Sequence, residues 1–295
     1  MLSEDRIYLS TAFSRRKSVR AILEQVAEHL DCRRVELSGG TDREKNLDGT
    51  LRDFKKRHGF EFLIHNYFPP PKNDFVLNVT SPDRENRRRS LEFARRSIDL
   101  AETIGADFYT LHAGYRALYR VPTDGGYFSL ADDSEISVSE ARENFKTSMI
   151  ELLQYADTKN ISIGFENLFP VDGHPVPLIC TLADIEWGLE VLSEFSNSGF
   201  LLDLGHLKVA SNQLGFDPET VLEALEPQAA NQLLEVHVSA NNGKTDQHNA
   251  LSENDWVLSA LRQFDFTGVP VTLEARGLNL ETARSNLNLL REIAV

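Results

Sequence analysis

Residues 139–167, SEARENFKTSMIELLQYADTKNISIGFEN, contain a helical stretch followed by the strand that opens one copy of the unit that decides the fold. The first part places apolar residues at helical spacing, and the second part, ISIGFE (161–166), is a short β-rich apolar run. A polar and Pro-containing loop follows, and a further helical stretch begins near residue 182. The sequence therefore predicts a strand, a loop and a helix in succession.

The same unit occurs along the whole chain. β-rich runs are predicted at 7–11, 34–37, 62–65, 108–112, 161–166, 200–203, 233–238 and 271–274. Helical stretches are predicted at 19–30, 81–105, 139–159, 182–195, 218–225, 255–264 and 280–293, with Ser81 as the N-cap and Pro82 as the first helical residue of the second. Eight alternating units favour a single (β/α)8 TIM barrel over residues 1–295, and an open sheet of eight parallel strands is the alternative.

The composition is that of an ordinary globular chain. Of the 295 residues, 41% are hydrophobic and 26% are charged, which excludes a disordered chain. No apolar run is long enough for a transmembrane helix, and the first residues do not predict a signal peptide. The two cysteines lie far apart in the sequence and form no metal-spaced pair, so we expect a reduced, cytoplasmic enzyme. The sequence leaves open whether the chain forms a homo-oligomer.

Histidines and carboxylates are concentrated where the predicted strands end. Five of the eight histidines lie at or just after a strand end: His65, His112, His206, His237 and His248. Three carboxylates are embedded in apolar strand ends in the same way: Glu166, Asp203 and Glu274. Each could be a separately satisfied core residue, but barrel strands bring their C-terminal ends to one mouth. Mixed imidazole and carboxylate ligands suit a transition metal, so the sequence predicts a metal centre there.

These residues stand in motifs that resemble the xylose isomerase-like barrel superfamily nearly from end to end. That superfamily contains sugar (phosphate) isomerases and epimerases together with endonuclease IV-type apurinic-site nucleases. The motifs are Ile64-His65-Asn66-Tyr67, Thr110-Leu111-His112-Ala113-Gly114, Phe165-Glu166-Asn167, Leu202-Asp203-Leu204-Gly205-His206, Val236-His237-Val238-Ser239, Thr245-Asp246-Gln247-His248 and Thr272-Leu273-Glu274.

The two branches imply different metal centres. The isomerase branch implies one divalent metal held by Glu166, Asp203, His237 and Glu274, with Mn²⁺ as first choice and Zn²⁺, Co²⁺ or Mg²⁺ as alternatives. The nuclease branch implies a three-zinc cluster that adds His65, His112, His206, Asp246 and His248. All nine positions carry a suitable residue, so the ligand count leaves both branches open.

The charge of the predicted rim loops favours a small substrate over DNA. The loops at 12–18, 36–48, 67–83, 113–137, 167–180, 207–217, 238–252 and 276–279 contain 11 Lys and Arg against 13 Asp and Glu. A nuclease needs a basic rim to neutralise phosphates. Two basic runs stand out: Arg15-Arg16-Lys17 could bind a substrate phosphate or be a solvated loop, whereas Arg87-Arg88-Arg89 is expected to be a solvated helix face.

Rim aromatic residues do not distinguish the two branches. They could wall a sugar or stack on an exposed base. The candidates are Tyr67, Phe68, Tyr115, Tyr119, Tyr127, Phe128 and Phe169.

The sequence therefore predicts a metal-dependent sugar (phosphate) isomerase or epimerase. In that hypothesis Glu166 and Glu274 transfer the proton through an enediolate that the metal stabilises. The alternatives are an apurinic-site nuclease and, less well supported by so many ligand-type residues, a non-catalytic sugar-binding barrel. The expected partner is a small sugar or sugar phosphate, with neither nucleic acid nor membrane.

Overall fold

Eight parallel strands close into a barrel in the computed structural model, which describes residues 2–120, 129–131, 134–171, 174 and 176–294. The barrel strands are β1 (Ile7–Ser10), β2 (Arg34–Leu37), β3 (Glu61–His65), β4 (Phe108–His112), β7 (Ser162–Glu166), β8 (Ser198–Asp203), β9 (Leu233–Val238) and β10 (Val271–Leu273). A two-stranded sheet, β5 (Tyr119–Arg120) and β6 (Ser129–Leu130), lies in the loop after β4. The predicted closed barrel is confirmed, and the alternative of an open sheet of eight parallel strands is excluded.

Helices follow the barrel strands along the chain. They are α1 (Val19–His29), α2 (Leu47–His58), α3 (Arg84–Ile104), α4 (Val138–Asp157), α5 (Leu182–Val191), α6 (Leu204–Leu214), α7 (Pro218–Gln232), α8 (Trp256–Gln263) and α9 (Leu280–Arg291). Strands β1 and β10 pair in parallel and complete the ring. All eight strands thus point their C-terminal ends to one mouth, where barrel enzymes carry their chemistry.

Each helix buries one stripe against the barrel. In α1 the buried residues are Val19, Ile22, Leu23 and Val26, which recur at the spacing of one helical face. They join one continuous apolar core that includes alternate strand residues such as Leu9 and Leu37. In the described part of the chain, no helix combines the length and apolar character needed to cross a bilayer.

Three helical details differ from the sequence prediction. Two helices, α2 and α6, were not predicted, and the second occupies most of the expected rim loop at 207–217. Helix α3 begins at Arg84 and not at the predicted position, because the side chain of Asp83 accepts a hydrogen bond from the main-chain N–H of Asn86 at 2.6 Å. A side-chain cap of this kind fixes where a helix begins.

The three arginines of the basic run on α3, Arg87, Arg88 and Arg89, contact residues of the helix itself and of the loop before it. Arg87 donates to the main-chain oxygen of Ser81, and Arg88 pairs with glutamates on its own helix. The Arg89 guanidinium lies 4.2 Å from the centre of the Phe75 ring. These contacts stabilise α3 and the loop before it.

Candidate metal centre

The nine sequence-predicted ligand residues converge at the barrel mouth. His65, His112, Glu166 and Asp203 are the last residues of their strands, and His237 is the last residue but one of β9. Four more come from the segments that follow β8, β9 and β10: His206 in the first turn of α6, Asp246 and His248 in the loop after β9, and Glu274 directly after β10. The closed barrel brings them together because each strand ends at the same rim.

Their ligand atoms form four overlapping sets, and within each set all atoms lie within 4.8 Å of one another. A central set contains Asp203, His237 and Glu274, and Asp203 also joins Glu166 and His206 in a second. Two outer sets flank it: His65 with His112 and Glu166, and His206 with Asp246 and His248. Glu166 and Asp203 therefore link the outer positions to the centre.

Each of the five imidazoles is held by one ring nitrogen and presents the other to a carboxylate. The held nitrogens lie 2.9 Å from Thr110 Oγ1 for His65, 3.1 Å from the Tyr115 hydroxyl for His112, 2.9 Å from the Asn167 main-chain oxygen for His206, 2.6 Å from Glu36 Oε2 for His237 and 3.0 Å from the Glu274 main-chain oxygen for His248. Metal-binding histidines are typically oriented by such a partner on the second nitrogen.

Several of the atoms that face inward lack hydrogen bonds. Both carboxylate oxygens of Glu166, His237 Nδ1, Asp246 Oδ1 and His248 Nε2 are buried without one. Buried polar atoms are almost always paired in proteins, so this concentration at one point fits a cation. The donor set of imidazoles and carboxylates fits a divalent transition metal.

Burial and neighbouring charges shift the pKa values of the ligand-type residues. Burial raises the pKa of Asp203 to about 6. Burial also acts to raise the pKa of Glu166, but the neighbouring His112 and His65 outweigh it and lower that pKa to about 2. The pKa of His237 stands well above its usual value, because Glu36 and other carboxylates outweigh the opposing effect of burial. In the absence of metal, protons on histidine thus balance part of the negative charge.

Two buried glutamates at the site were missed by the sequence analysis. Glu36 was counted as a rim-loop residue, which is wrong: it lies in β2, fully buried, and accepts the hydrogen bond from His237. Glu235 lies in β9, also fully buried, and accepts a hydrogen bond from Thr272 at 2.5 Å. The available signal was a carboxylate inside an apolar strand, as in Glu166: Glu36 is the last residue but one of β2, and Glu235 stands in the middle of β9.

The predicted phosphate-binding run lies in the loop between β1 and α1. Arg15, Arg16 and Lys17 are all exposed. Lys17 Nζ donates to Gln25 Oε1 in α1 at 3.1 Å, and the main chain of Arg16 donates to Gly40. Their role in binding a phosphate stays a prediction.

The rim aromatic residues divide into structural and site-facing groups. Phe68 is fully buried, and the Tyr67 hydroxyl accepts a hydrogen bond from the main chain of Leu77, so both stabilise the loop after β3. Tyr115 contacts His112, and the Phe169 ring centre lies 4.9 Å from that of His206. Tyr119 contacts Tyr115, whereas Tyr127 and Phe128 lie outside the described residues.

The family relationship follows from a match over most of the chain. A family model described as xylose isomerase-like TIM barrel matches residues 23–293. The chain belongs to the xylose isomerase-like TIM barrel family. An uncharacterized protein of Methanocaldococcus jannaschii is 24% identical over 285 residues, which cover 94% of this chain and 85% of the relative.

Solved structures of this barrel type share the fold at low identity. A D-tagatose 3-epimerase-like protein superposes with a TM-score of 0.73 at 21% identity, covering 98% of this chain and 96% of the other. D-psicose 3-epimerase from Clostridium cellulolyticum H10, solved with D-tagatose, gives a TM-score of 0.67 at 13% identity, covering 98% and 99%. The xylose isomerase-like barrel is thus shared along nearly the whole length.

Proposed function

We propose that this protein is a divalent-metal-dependent isomerase or epimerase that acts on a small sugar or sugar phosphate. The observation that carries the proposal is the convergence of Glu166, Asp203, His237 and Glu274 at one mouth, with buried inward-facing atoms that lack hydrogen bonds. The epimerases among the structural neighbours support this reaction class over a binding protein.

The two glutamates are the proton-transferring groups of the proposed reaction. Glu166 ends β7 and Glu274 directly follows β10, and β8 and β9 stand between these two strands in the ring. A divalent cation held by Glu166, Asp203, His237 and Glu274 would polarise the substrate carbonyl. Nearby histidines outweigh burial and lower the pKa values of Glu166 and Glu274, so the glutamate that acts as the base is ionised and able to accept a proton. The glutamate that acts as the acid must hold a proton before it can return one. One glutamate removes the proton α to the carbonyl and the other returns one, to the opposite face or to the neighbouring carbon.

Substrate access is expected on the side of His112. Its side chain is 22% exposed, against 8% or less for the other eight ligand-type residues. Tyr115 stands beside it and contacts its Nδ1 atom. A sugar entering here would reach Glu166, whose carboxylate lies 3.4 Å from His112 Nε2.

A second candidate function, phosphodiester cleavage at an apurinic site, is favoured by one specific observation. The outer sets around His112 and around Asp246 provide two further positions for a cation, and a one-metal isomerase needs neither. Multinuclear sites suit in-line displacement at phosphorus. Against this candidate stand the near-neutral rim and the use of Arg87, Arg88 and Arg89 within the fold.

Three measurements on the same preparation distinguish these candidates. Elemental analysis gives the number of metal ions per chain after loading with Mn²⁺ or Zn²⁺. Exchange of the α-proton of ketoses such as D-tagatose with solvent deuterium tests the epimerase chemistry, and cleavage of a duplex containing an abasic site tests the nuclease. Exchange without cleavage is the expected result. Robust cleavage together with three bound zinc ions would replace the first proposal by the second.

A further inference from the structure

His237 differs from the other four clustered histidines in which nitrogen it turns inward. His65, His112 and His248 are tethered through Nδ1 and face carboxylates with Nε2. His206 is also tethered through Nδ1 and faces Asp246 with Nε2, although its Nδ1 atom additionally lies 3.1 Å from Glu166 Oε1. His237 is tethered through Nε2, and its Nδ1 atom lies 3.2 Å from Glu274 Oε2. Its orientation is thus reversed within the cluster.

The tether of His237 is also chemically different. The four other histidines are held by hydroxyl or main-chain oxygens, whereas His237 Nε2 lies 2.6 Å from a carboxylate oxygen of Glu36. Both side chains are fully buried. A short, buried bond of this kind between an N–H and a carboxylate strongly restricts the ring and fixes which nitrogen carries the proton.

Glu36 is better placed for this role than the neighbouring Glu235. Glu235 Oε1 lies 3.5 Å from His237 Nε2, beyond normal hydrogen-bond length. The same oxygen accepts the hydroxyl of Thr272 at 2.5 Å. Strand β2, which carries Glu36, contributes none of the nine predicted ligands, so the barrel brings this carboxylate to the site from a strand with no other predicted role there.

We propose that Glu36 is a positioning residue that keeps His237 Nε2 protonated and turns Nδ1 towards Asp203 and Glu274 as the metal-binding atom. The inference rests on the proposed function, since it concerns the ligands of that metal. Without this bond the ring can rotate about its χ angles and share its proton between the two nitrogens, so only part of the population presents Nδ1 to the metal. The expected consequence is weaker metal binding at the central set.

Three substitutions of Glu36 separate orientation from mere burial of a side chain. Glu36→Leu removes the acceptor, Glu36→Asp keeps a carboxylate but withdraws it by one methylene, and Glu36→Gln keeps an acceptor at the same reach. The affinity for Zn²⁺, measured by competition with a chelator, is expected to fall about 10- to 100-fold in the first two, the range typical of a lost outer partner of a metal-bound histidine. The Gln variant is expected to stay within about threefold of wild type.

Glu235→Gln is the matched control, because it alters a buried carboxylate beside the same imidazole and keeps an acceptor for Thr272. Its Zn²⁺ affinity is expected to equal that of wild type. Nitrogen-15 NMR of histidine in the zinc-loaded protein reads the orientation directly, with His237 Nε2 protonated and Nδ1 coordinated. Glu36→Asp is expected to reduce that signature even if Glu36→Leu fails to fold.

The outcomes separate this inference from the proposed function. Wild-type protein that binds no divalent metal would overturn both. Metal binding that is unchanged in Glu36→Asp or Glu36→Leu, an equal loss in Glu235→Gln, or a coordinated Nε2 on His237 in wild type would overturn the positioning role alone.

Discussion

Asp203 combines a structural and a proposed chemical role in one carboxylate. Its Oδ1 atom accepts the main-chain N–H of His206 at 2.7 Å and so caps α6. Its Oδ2 atom lies 3.7 Å from His206 Nδ1 and 3.9 Å from His237 Nδ1. The backbone is fixed by Asn167, whose side chain bonds both the N–H and the C=O of Asp203. The carboxylate is therefore held in place before any cation arrives.

The first prediction separates these two roles with Asp203→Asn. Asparagine is as good an N-cap as aspartate, so α6 should be retained. The charge is lost, and the affinity for divalent metal should fall at least about 10-fold, the scale of a lost ligand or outer partner. Because burial raises the pKa of Asp203 to about 6, ionisation of this carboxyl at neutral pH lowers the stability of the fold without metal relative to the unfolded chain. Thermal unfolding in excess chelator should thus show a variant no less stable than wild type, and a large loss of stability there would contradict this account.

The second prediction concerns the two proposed proton-transferring residues. Glu166→Gln and Glu274→Gln remove a base while keeping nearly the same shape. Each should lower turnover by roughly 10²-fold or more, as expected for a lost general acid–base group. Exchange of the substrate α-proton with solvent deuterium should be lost in the same variants. Because both residues are also predicted ligands, activity is compared at saturating metal with the bound metal measured, and full activity in both variants would refute the two-glutamate mechanism.

At the scale of the element, polar caps at helix starts hold the loops that carry the site. Asp83 caps the N-terminus of α3, and Ser137 caps that of α4. Asp203, the last residue of β8, caps the N-terminus of α6. A helix that starts directly after a strand leaves no flexible loop, so His206 in its first turn is held as rigidly as the strand residues. The loop after β9 supplies Asp246 and His248, and a main-chain hydrogen bond from Arg276 to the carbonyl of His248 fixes its position.

The third prediction tests the cap of α3. Asp83→Ala should lower the free energy of unfolding by about 1 kcal/mol, since the N–H of Asn86 loses its acceptor at an exposed helix end. Arg84→Ala, at the next position and also exposed, serves as the control and should change stability by less than about 0.5 kcal/mol. Chemical denaturation of both variants measures the difference, and equal values would argue against the cap.

At the scale of the whole molecule, the barrel gathers many ionisable side chains in a poorly solvated interior, where burial of charge lowers the stability of the fold. Six carboxylates and five imidazoles lie buried or nearly so at one mouth: Glu36, Glu166, Asp203, Glu235, Asp246, Glu274, His65, His112, His206, His237 and His248. Like charges in a poorly solvated interior destabilise the fold unless a counter-ion is bound. A resident cation would offset this cost.

The fourth prediction is that metal binding stabilises the fold. A ligand that binds only the folded state at 100 times its dissociation constant adds about 2.7 kcal/mol of stability. Removal of metal by chelator should accordingly lower the melting temperature by roughly 5 °C or more for a chain of this size. Differential scanning calorimetry with and without chelator measures the shift. Asp203→Asn should show a smaller response to chelator than wild type, and an unresponsive wild-type protein would count against a resident metal.

The fifth prediction concerns the pH dependence of metal binding. The pKa values of His206 and His237 are raised well above the usual value by neighbouring carboxylates, which outweigh burial. A metal must displace a proton from each ring, so the affinity should rise with pH throughout the range below these raised pKa values, which extends well above the usual histidine pKa of about 6.5. Calorimetric titrations in buffers of different ionisation enthalpy would count the released protons. Affinity that is independent of pH between 6 and 8 would contradict the assigned ligands.

The sequence alone determined the barrel and the convergence of its polar residues. Period and length set the eight strand–helix units, and three predicted strands, 34–37, 108–112 and 233–238, have the observed bounds. Eight of the nine ligand-type residues could be named because each stands at or just after a predicted strand end, and a closed barrel gathers all strand ends at one rim. Asp246 was named only through the family resemblance. Local pattern was less informative for α2 and α6. The second follows its strand with no intervening turn, so no loop signal separates the two elements.

Only the tertiary structure decided which hydrogen-bond partners hold the side chains of the site. Glu36 and His237 are 201 residues apart in sequence, and no spacing in the chain relates them; they meet because β2 and β9 point into the same barrel interior. Which nitrogen each imidazole turns inward depends likewise on distant partners such as Thr110 and Tyr115. Sequence patterns report local periodicity and burial, whereas hydrogen-bond partners across a barrel depend on how the ring closes.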